Sequence, residues 1–456
     1  MSTVWRAPGL RRTGPGRFSR RTDDRARKGE RMFAAARQVI EAVATGTGRE
    51  VASVTLACAE PSGDGVLAGY DVELASQQGP DERIRLFIDT ATNPAAASTV
   101  GGAQNWTTVQ NPVTREQVRV WRYPHDPALP ALPATAFPDS ARETAARFGA
   151  VGEGQLEMLA YRPGRRAVLR LAGPDGTLFF KVVRPGHAEP LHRIHEELGG
   201  GGVAVPRSRG WSEAGLVALE RMPGLPADAH VPNTPEARLE FLGELQSLVA
   251  SIGAAPVSRG ARASLTTGLD WYLLRLHDLL PARRADIDGI AASIRQALAE
   301  ARPGPARTVH GDLHLGQIFV EPSARPGGGT SITGVVDIDT AGVGDLADDL
   351  GGLYAHAIVT ALTHDLGGRA ELRTATFELA ELVRLAWGEF AHTWTEPGGS
   401  GLVTDDPDLS IRSSAVALTH LLSHAFGAAV RGGVGLDALP DRILDFASAL
   451  SKEPRR

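Results

Sequence analysis

From Glu50 to about Tyr123, apolar and polar positions alternate. The runs Val51 to Cys58, Val66 to Leu74, Arg83 to Ile88 and Gln117 to Trp121 have strand periodicity and are separated by Gly, Pro, Asp and Asn clusters. Met32 to Val43, ahead of them, has helical spacing. This predicts a small α+β unit over 32–123, one helix and a curled antiparallel sheet. Pro124, Pro127, Pro130, Pro133 and Pro138 follow, each without a backbone donor and each biasing its predecessor away from helix, so 124–148 reads as an extended linker.

A second pattern begins after Gly149. Leu156 to Tyr161 and Ala167 to Leu171 read as strands joined by the turn Arg162-Pro163-Gly164-Arg165-Arg166. Leu178 to Val183 is a third strand, His187 to Leu198 a helix, and Val203 to Pro206 and Leu216 to Leu219 further extended runs. From Thr234 the spacing is mostly helical: Leu239 to Ile252, Trp271 to Leu280, Ile287 to Ala299, Leu353 to Leu362, Ala375 to Trp394 and Ile411 to Val430. One polar, glycine-punctuated stretch, His310 to Gly352, interrupts the helices, and candidate chemistry concentrates there.

Composition narrows the classes. A chain of 456 residues exceeds one ordinary core. No uncharged apolar run approaches the roughly 20 residues of a membrane-spanning helix, so no membrane partner is expected. Cys58 is the single cysteine, which excludes an intramolecular disulfide and a cysteine-based zinc site. The net charge of −5 is uneven: ten Lys or Arg stand against three acids up to Arg31, giving +7 there and −12 for the rest. The basic head, 1–31, contains Gly, Pro and acids but no apolar core, so it reads as a disordered extension; no nucleic-acid partner is expected, and the default compartment is the cytoplasm.

The interrupting stretch reads HGDLHLGQIFV from His310 and, after a loop, GVVDIDTAG from Gly334. Two short apolar runs flank a loop. Phosphoryl transfer from a nucleotide needs a carboxylate near the attacking hydroxyl and oxygen ligands that hold magnesium on the phosphates. Asp312 and Asp337 are positioned for these two tasks, and Gln317 offers a neutral carbonyl oxygen. His310 and His314 have a spacing that a metal also uses, but with no third ligand evident they read as braces of the loop.

HGDLHLGQ followed by VVDIDTAGVGDLADDL resembles the catalytic and metal-binding loops of the aminoglycoside phosphotransferase and choline kinase superfamily, whose members share the protein kinase fold. The resemblance implies an α+β, bilobal, protein-kinase-like architecture: a β-rich N-lobe over 149–224, a mainly helical C-lobe over 225–456, and the α+β unit as a preceding cap. It implies ATP and Mg2+ as cofactors, Asp312 as catalytic base and Asp337 as principal magnesium ligand, with His310, Asp345 and Asp349 bracing the loops. Gln317 stands where most members have Asn; the HGDxHLGQ form is similar to actinobacterial maltokinases and related sugar kinases, and the cap is similar in position to that of maltokinases and glucosamine kinases.

Read backward from these loops, the chain offers a hairpin, a lysine and a helix carboxylate in order. Gly164 and Arg165 lie in the turn expected to cover the phosphates. Lys181, inside the apolar run Phe179 to Val183, resembles the lysine that binds the α- and β-phosphates. Glu196 on the next helix is the expected partner, with Glu189 and Glu197 as alternatives. Glu220 to Met222 fall where the strand and hinge between lobes would meet the adenine.

The partner is then a small-molecule hydroxyl acceptor. The late helices carry Trp387, Glu389, His392, Trp394, His420 and His424; of these Trp387 and Glu389, together with Asp339, are the substrate candidates. A sugar or amino sugar is the leading acceptor, an antibiotic of the aminoglycoside or macrolide kind the rival, and a catalytically silent nucleotide-binding protein the alternative of another class.

Overall fold

The alternation read between Glu50 and Trp121 becomes an antiparallel sheet. In the computed structural model, which describes residues 36–44, 49–75, 81–91, 106–111, 115–150, 154–174, 176–322, 329–392, 406–431 and 436–453, the first unit begins with a helix, α1, over 36–44. Strands β1 (Glu50–Ser62), β2 (Gly65–Ala75), β3 (Glu82–Asp89), β4 (Trp106–Gln110) and β5 (Gln117–Arg122) follow, in the order β1-β2-β3-β5-β4. Val39 and Ile40 of α1 bury against Tyr70, Val72, Val118 and Val120, the inward members of the alternating strands. Each such side chain contributes about 1.5–3 kcal/mol of burial. The extension read over 1–31 lies outside the described residues.

The extended linker expected over 124–148 is folded instead. Ala128, Leu129, Ala131 and Leu132 are buried, Leu132–Ala134 forms a 3-10 turn, and Pro138–Arg147 is helix α2. The prolines sit at turns or, for Pro138, at the first helical position, where a missing N–H costs nothing. The small and apolar residues between them carry the packing, a signal outweighed in the sequence by proline spacing.

By packing, the chain divides into one unit of residues 1–133 with 161–166, and a second of 134–160 with 167–456. The second contains the strands β6 (Gln155–Arg162) and β7 (Arg166–Gly173), apart from their ends at the turn 161–166, then β8 (Gly176–Val183), helix α3 (Pro185–Gly200), β9 (Ser208–Ser212) and β10 (Leu216–Glu220), in the sheet order β6-β7-β8-β10-β9. The run Val203 to Pro206 is not a strand; the pairing partner of β10 lies just beyond it.

After β11 (Leu225–Pro226) the chain turns helical with α4 (Pro235–Ala254), whose N-terminus is capped by the Thr234 hydroxyl, α5 (Leu269–Leu279) and α6 (Arg284–Glu300). Short strands β12 (Arg307–Val309), β13 (Ile318–Pro322), β14 (Thr330–Val335) and β15 (Gly342–Gly344) precede α7 (Leu346–Leu366), α8 (Ala370–Leu385), α9 (Trp387–His392), α10 (Leu409–Arg431) and α11 (Leu439–Leu450). The pattern read as one helix from Ala375 to Trp394 breaks at Ala386, which separates α8 from α9. Phe241, Leu245, Ile290, Ile294, Leu350, Tyr354 and Leu421 meet in one core. The β-rich N-lobe and helical C-lobe of a kinase-like fold are thus both present in the second unit. Among the described helices α10 alone has the length and apolar composition of a membrane span, yet over half of that stretch is buried. It carries Arg412, ion-paired at 2.6 Å to the equally buried Asp406.

Candidate active site

Two short antiparallel pairs hold the polar loops side by side. Strand β12 pairs with β15, matching Val309 to Gly342, and β13 pairs with β14, matching Ile318 to Val335. The loop containing Asp312 runs between β12 and β13; the segment containing Asp337 and Asp339 runs between β14 and β15. Residues 25 positions apart in the sequence are therefore presented from neighbouring strand ends.

The Asp312 loop is fixed from below by Asp349 on α7. Its two carboxylate oxygens accept the backbone N–H groups of His310 and Gly311, both at 2.7 Å. Complete burial pushes the Asp349 carboxyl up to about 7 despite these donors. His310 Nε2 lies 3.0 Å from the Val336 carbonyl, and burial holds its imidazole below its ordinary value. Gly311 adopts a φ of 78°, and a Cβ there would meet the Thr340 carbonyl oxygen at 2.6 Å, so the crossing of the two loops requires glycine. Asp345 instead caps α7 through the Ala347 N–H at 2.9 Å and pairs with Arg412 at 2.7 Å, which ties α10 to the start of α7.

Two arginines absent from the sequence reading, in Ser258-Arg259-Gly260-Ala261-Arg262, complete the loops. Arg262 donates to the Gly311 carbonyl at 3.0 Å and to Asp312 Oδ1 at 3.1 Å. Arg259 donates to the carbonyls of Ala341, Ile338 and Asp339, at 2.7, 3.2 and 2.6 Å. The only sequence signal was two arginines beside a glycine between helices, which by itself resembles any solvated turn.

Lys181 projects from β8 with 6% of its surface exposed. Its Nζ lies 2.6 Å from Asp337 Oδ1 and 2.5 Å from Asp339 Oδ1, which offsets the desolvation of an ammonium in that apolar strand. Asp337 has a φ of 58°, a left-handed conformation that a non-glycine residue adopts at some cost. Gln317 is buried, its backbone carbonyl accepts the Val336 N–H at 2.9 Å, and its side-chain Oε1 is buried without a hydrogen-bond partner. Two carboxylates and an orphaned amide oxygen beside the same strand end are a hard-oxygen donor set of the kind magnesium takes, so Asp337, Gln317 and Asp339 fit that ion.

Other expected positions differ. Glu196 does not pair with Lys181: its side chain is 64% exposed and reaches His192 on its own helix. Glu189 pairs with Arg193, and Glu197 accepts the Ser258 N–H at 3.1 Å. The buried face of α3 is Ala188, Leu191, Ile194 and Leu198, with His195 the inward polar residue; one position of helical rotation turns Glu196 to solvent. Burial, chiefly, and then the nearby Lys181 charge act on His195, whose imidazole is pushed down to about 4 while Nδ1 sits 2.7 Å from the Pro206 carbonyl.

The turn at Gly164 groups with the first unit. Asp126 Oδ2 accepts both the Tyr161 hydroxyl at 2.9 Å and the Gly164 N–H at 2.7 Å, and Gly164 has a φ of 69°. Tyr161 packs edge-on to Phe87, while Arg162 and Arg165 pair with Glu60 at 3.2 and 3.9 Å. The cationic side chains of this turn thus already have a carboxylate partner.

Glu220 pairs with Arg209 on the neighbouring strand, leaving its backbone N–H bonded to the Arg207 carbonyl at 2.9 Å. Met222 is buried over Gly334, where a Cβ would come within 2.8 Å of its sulfur. Trp387 is a core residue, 3% exposed and edge-on to Tyr354, not a platform for an acceptor. Glu389 lies exposed, with Gln246 of α4 3.3 Å away, and Asp339 belongs with Lys181. Trp394 lies outside the described residues. Beside the Asp312 loop the structure brings His314 to stack on His356 at 4.5 Å, with His420 and His424 next to it.

The family model described as the phosphotransferase enzyme family matches residues 163–387, which contain Lys181, the Asp312 loop, Gln317, Asp337, Asp339 and Asp349. A viomycin phosphotransferase from Streptomyces vinaceus is 29% identical over 228 residues, 47% of this chain and 69% of that one. Among solved structures, an aminoglycoside phosphotransferase in ternary complex with ADP and hygromycin B is similar over 69% of this chain and 100% of that one, at 13% identity and a TM-score of 0.44. A choline/ethanolamine kinase family protein from Mesorhizobium loti is similar over 69% of this chain and 95% of its own, at 18% identity and a TM-score of 0.39. Lys181, Asp312 and Asp337 lie inside residues 163–387, the segment that matches the phosphotransferase enzyme family, and the chain is a small-molecule phosphotransferase.

Proposed function

We propose that the protein transfers the γ-phosphoryl group of ATP, with Mg2+, to a hydroxyl of a sugar or amino sugar in the cytoplasm. The observation that carries the reading is the convergence of Lys181, Asp337 and Asp339 beside the loop that presents Asp312. Asp312 accepts the acceptor's hydroxyl proton as its oxygen bonds to the γ-phosphorus. The bond from that phosphorus to the β,γ-bridging oxygen breaks, ADP leaves with the electron pair, and Asp312 returns the proton to solvent. Asp337, Gln317 and Asp339 would hold magnesium, which supplies charge neutralisation on the phosphates. In that state Lys181 exchanges one carboxylate for phosphate oxygens. Arg262 holds the Asp312 carboxylate in orientation, and Asp349 and Gly311 keep its loop rigid.

Charge favours a largely neutral acceptor. Arg262 pairs with Asp312, and Asp337 and Asp339 share Lys181, so each of the three carboxylates already has a cationic partner. A polycationic acceptor gains most from an acidic pocket. The second reading, a basic antibiotic as acceptor, is favoured by the viomycin phosphotransferase relative. ADP release measured across maltose, glucosamine, glucose, aminoglycosides, viomycin and a macrolide separates the two. Stimulation by a sugar or amino sugar supports the first reading, and stimulation by the antibiotics alone replaces it with the second. No stimulation by any acceptor, with intact nucleotide binding, favours a silent nucleotide-binding protein.

A further inference from the structure

We propose that His356, His420 and His424 form a binding site for a divalent transition-metal ion, distinct from the magnesium site. His420 and His424 are four residues apart on α10, one helical turn, so their rings leave the same face of the helix. His356 comes from α7, which packs along that face, and its ring centroid is 5.6 Å from that of His420 and 4.3 Å from that of His424. One nitrogen from each of the three rings lies within 4.8 Å of the others. Rings meeting a metal at about 2.0–2.1 Å bring their nitrogens somewhat closer than that, a change that χ rotations of the partly exposed His356 and His424 towards the buried His420 supply.

Donor chemistry decides the class of ion. Three imidazoles without a carboxylate match Zn2+, Co2+ or Ni2+, and not Mg2+ or Ca2+, which require oxygen ligands. Burial favours neutral imidazole on His356 and His420, the form that ligates. Among the described residues the cation acting on His356 and His420 is Arg262, already engaged by Asp312 and the Gly311 carbonyl. Three protein ligands leave a tetrahedral ion one open position, for water or an acceptor oxygen. The site adjoins the catalytic loop through the stacking of His356 on His314. That arrangement is what the sequence concealed: His420 and His424 were visible on a late helix, but their third partner is 64 residues before His420 on another helix.

The test is zinc binding by tag-free, chelator-stripped protein, followed by competition with a chromophoric chelator in saturating magnesium, with Co2+ as a spectroscopic probe. One equivalent of tightly bound Zn2+ is expected, with the strong visible bands of four-coordinate Co2+. His424→Asn and His356→Asn, each verified as folded by an unchanged melting temperature without zinc, should weaken zinc by more than about 100-fold, beyond the 10–100-fold that loss of an outer-shell partner costs. Magnesium-dependent nucleotide binding should be unchanged in both. Absence of a tight zinc equivalent in the parent, or retention of it in both variants, overturns the proposal. Because the readout is metal stoichiometry, this outcome is independent of whether the acceptor is a sugar or an antibiotic.

Discussion

Lys181 and Asp337 stand 156 positions apart in the chain and form an ion pair at 2.6 Å. The contact joins β8 of the N-lobe to the loop after β14 of the C-lobe, so it registers the two parts of the proposed nucleotide site against each other. It also places the buried ammonium directly against a carboxylate proposed above as a magnesium ligand.

Replacing Lys181 by Met keeps the length and apolar character of the strand position but removes the charge. Loss of one preorganised electrostatic contact typically costs about 100–1,000-fold in rate, and Lys181→Met should lower kcat/KM by at least the smaller factor. Steady-state kinetics at saturating acceptor check this. A change of only a few-fold would remove Lys181 from the phosphate-binding role.

Gln317→Ala removes the amide oxygen that is buried without a hydrogen-bond partner. The Mg2+ concentration needed for half-maximal ATP binding should rise by about tenfold or more, while Gln317→Asn recovers part of the loss. Magnesium titrations that coincide for Gln317→Ala and the parent would mean that this oxygen is not a ligand.

Asp349 gives a pH dependence whose sign follows from its environment. Burial raises its carboxyl from an ordinary 3.8 to about 7, so across that window the folded protein binds the proton that the unfolded chain has released. Stability from this group is therefore highest at low pH and is lost as pH rises towards about 7. Asn has no such titration, so Asp349→Asn should be destabilised relative to the parent more at pH 5 than at pH 8. Urea unfolding at the two pH values decides it; an equal or larger deficit at pH 8 contradicts the raised carboxyl.

The parts legible in the sequence were those whose meaning is local. HGDLHLGQ and VVDIDTAG place their carboxylates within a few residues of a strand end, and Lys181 was marked by being a cation inside Phe179 to Val183. Its partner was not legible, because the choice among Glu189, Glu196 and Glu197 depends on the rotation of α3, and the inward position fell to His195. Trp387 and the supposed linker failed for a common reason: an aromatic on a helix and prolines in a row describe composition, while burial of Trp387 against Tyr354, and of Leu129 and Leu132, is decided by tertiary packing. Arg259 and Arg262 act through backbone carbonyls of distant loops, a partnership that residue type alone does not encode.

The central claim is that Asp312 acts in phosphoryl transfer and not in nucleotide binding. Its most direct test pairs acceptor-stimulated ADP release with ATP affinity, in the parent and in Asp312→Asn. The account predicts that the variant loses turnover by about 100–10,000-fold while binding Mg-ATP with affinity within a few-fold of the parent. Turnover retained in Asp312→Asn would contradict it.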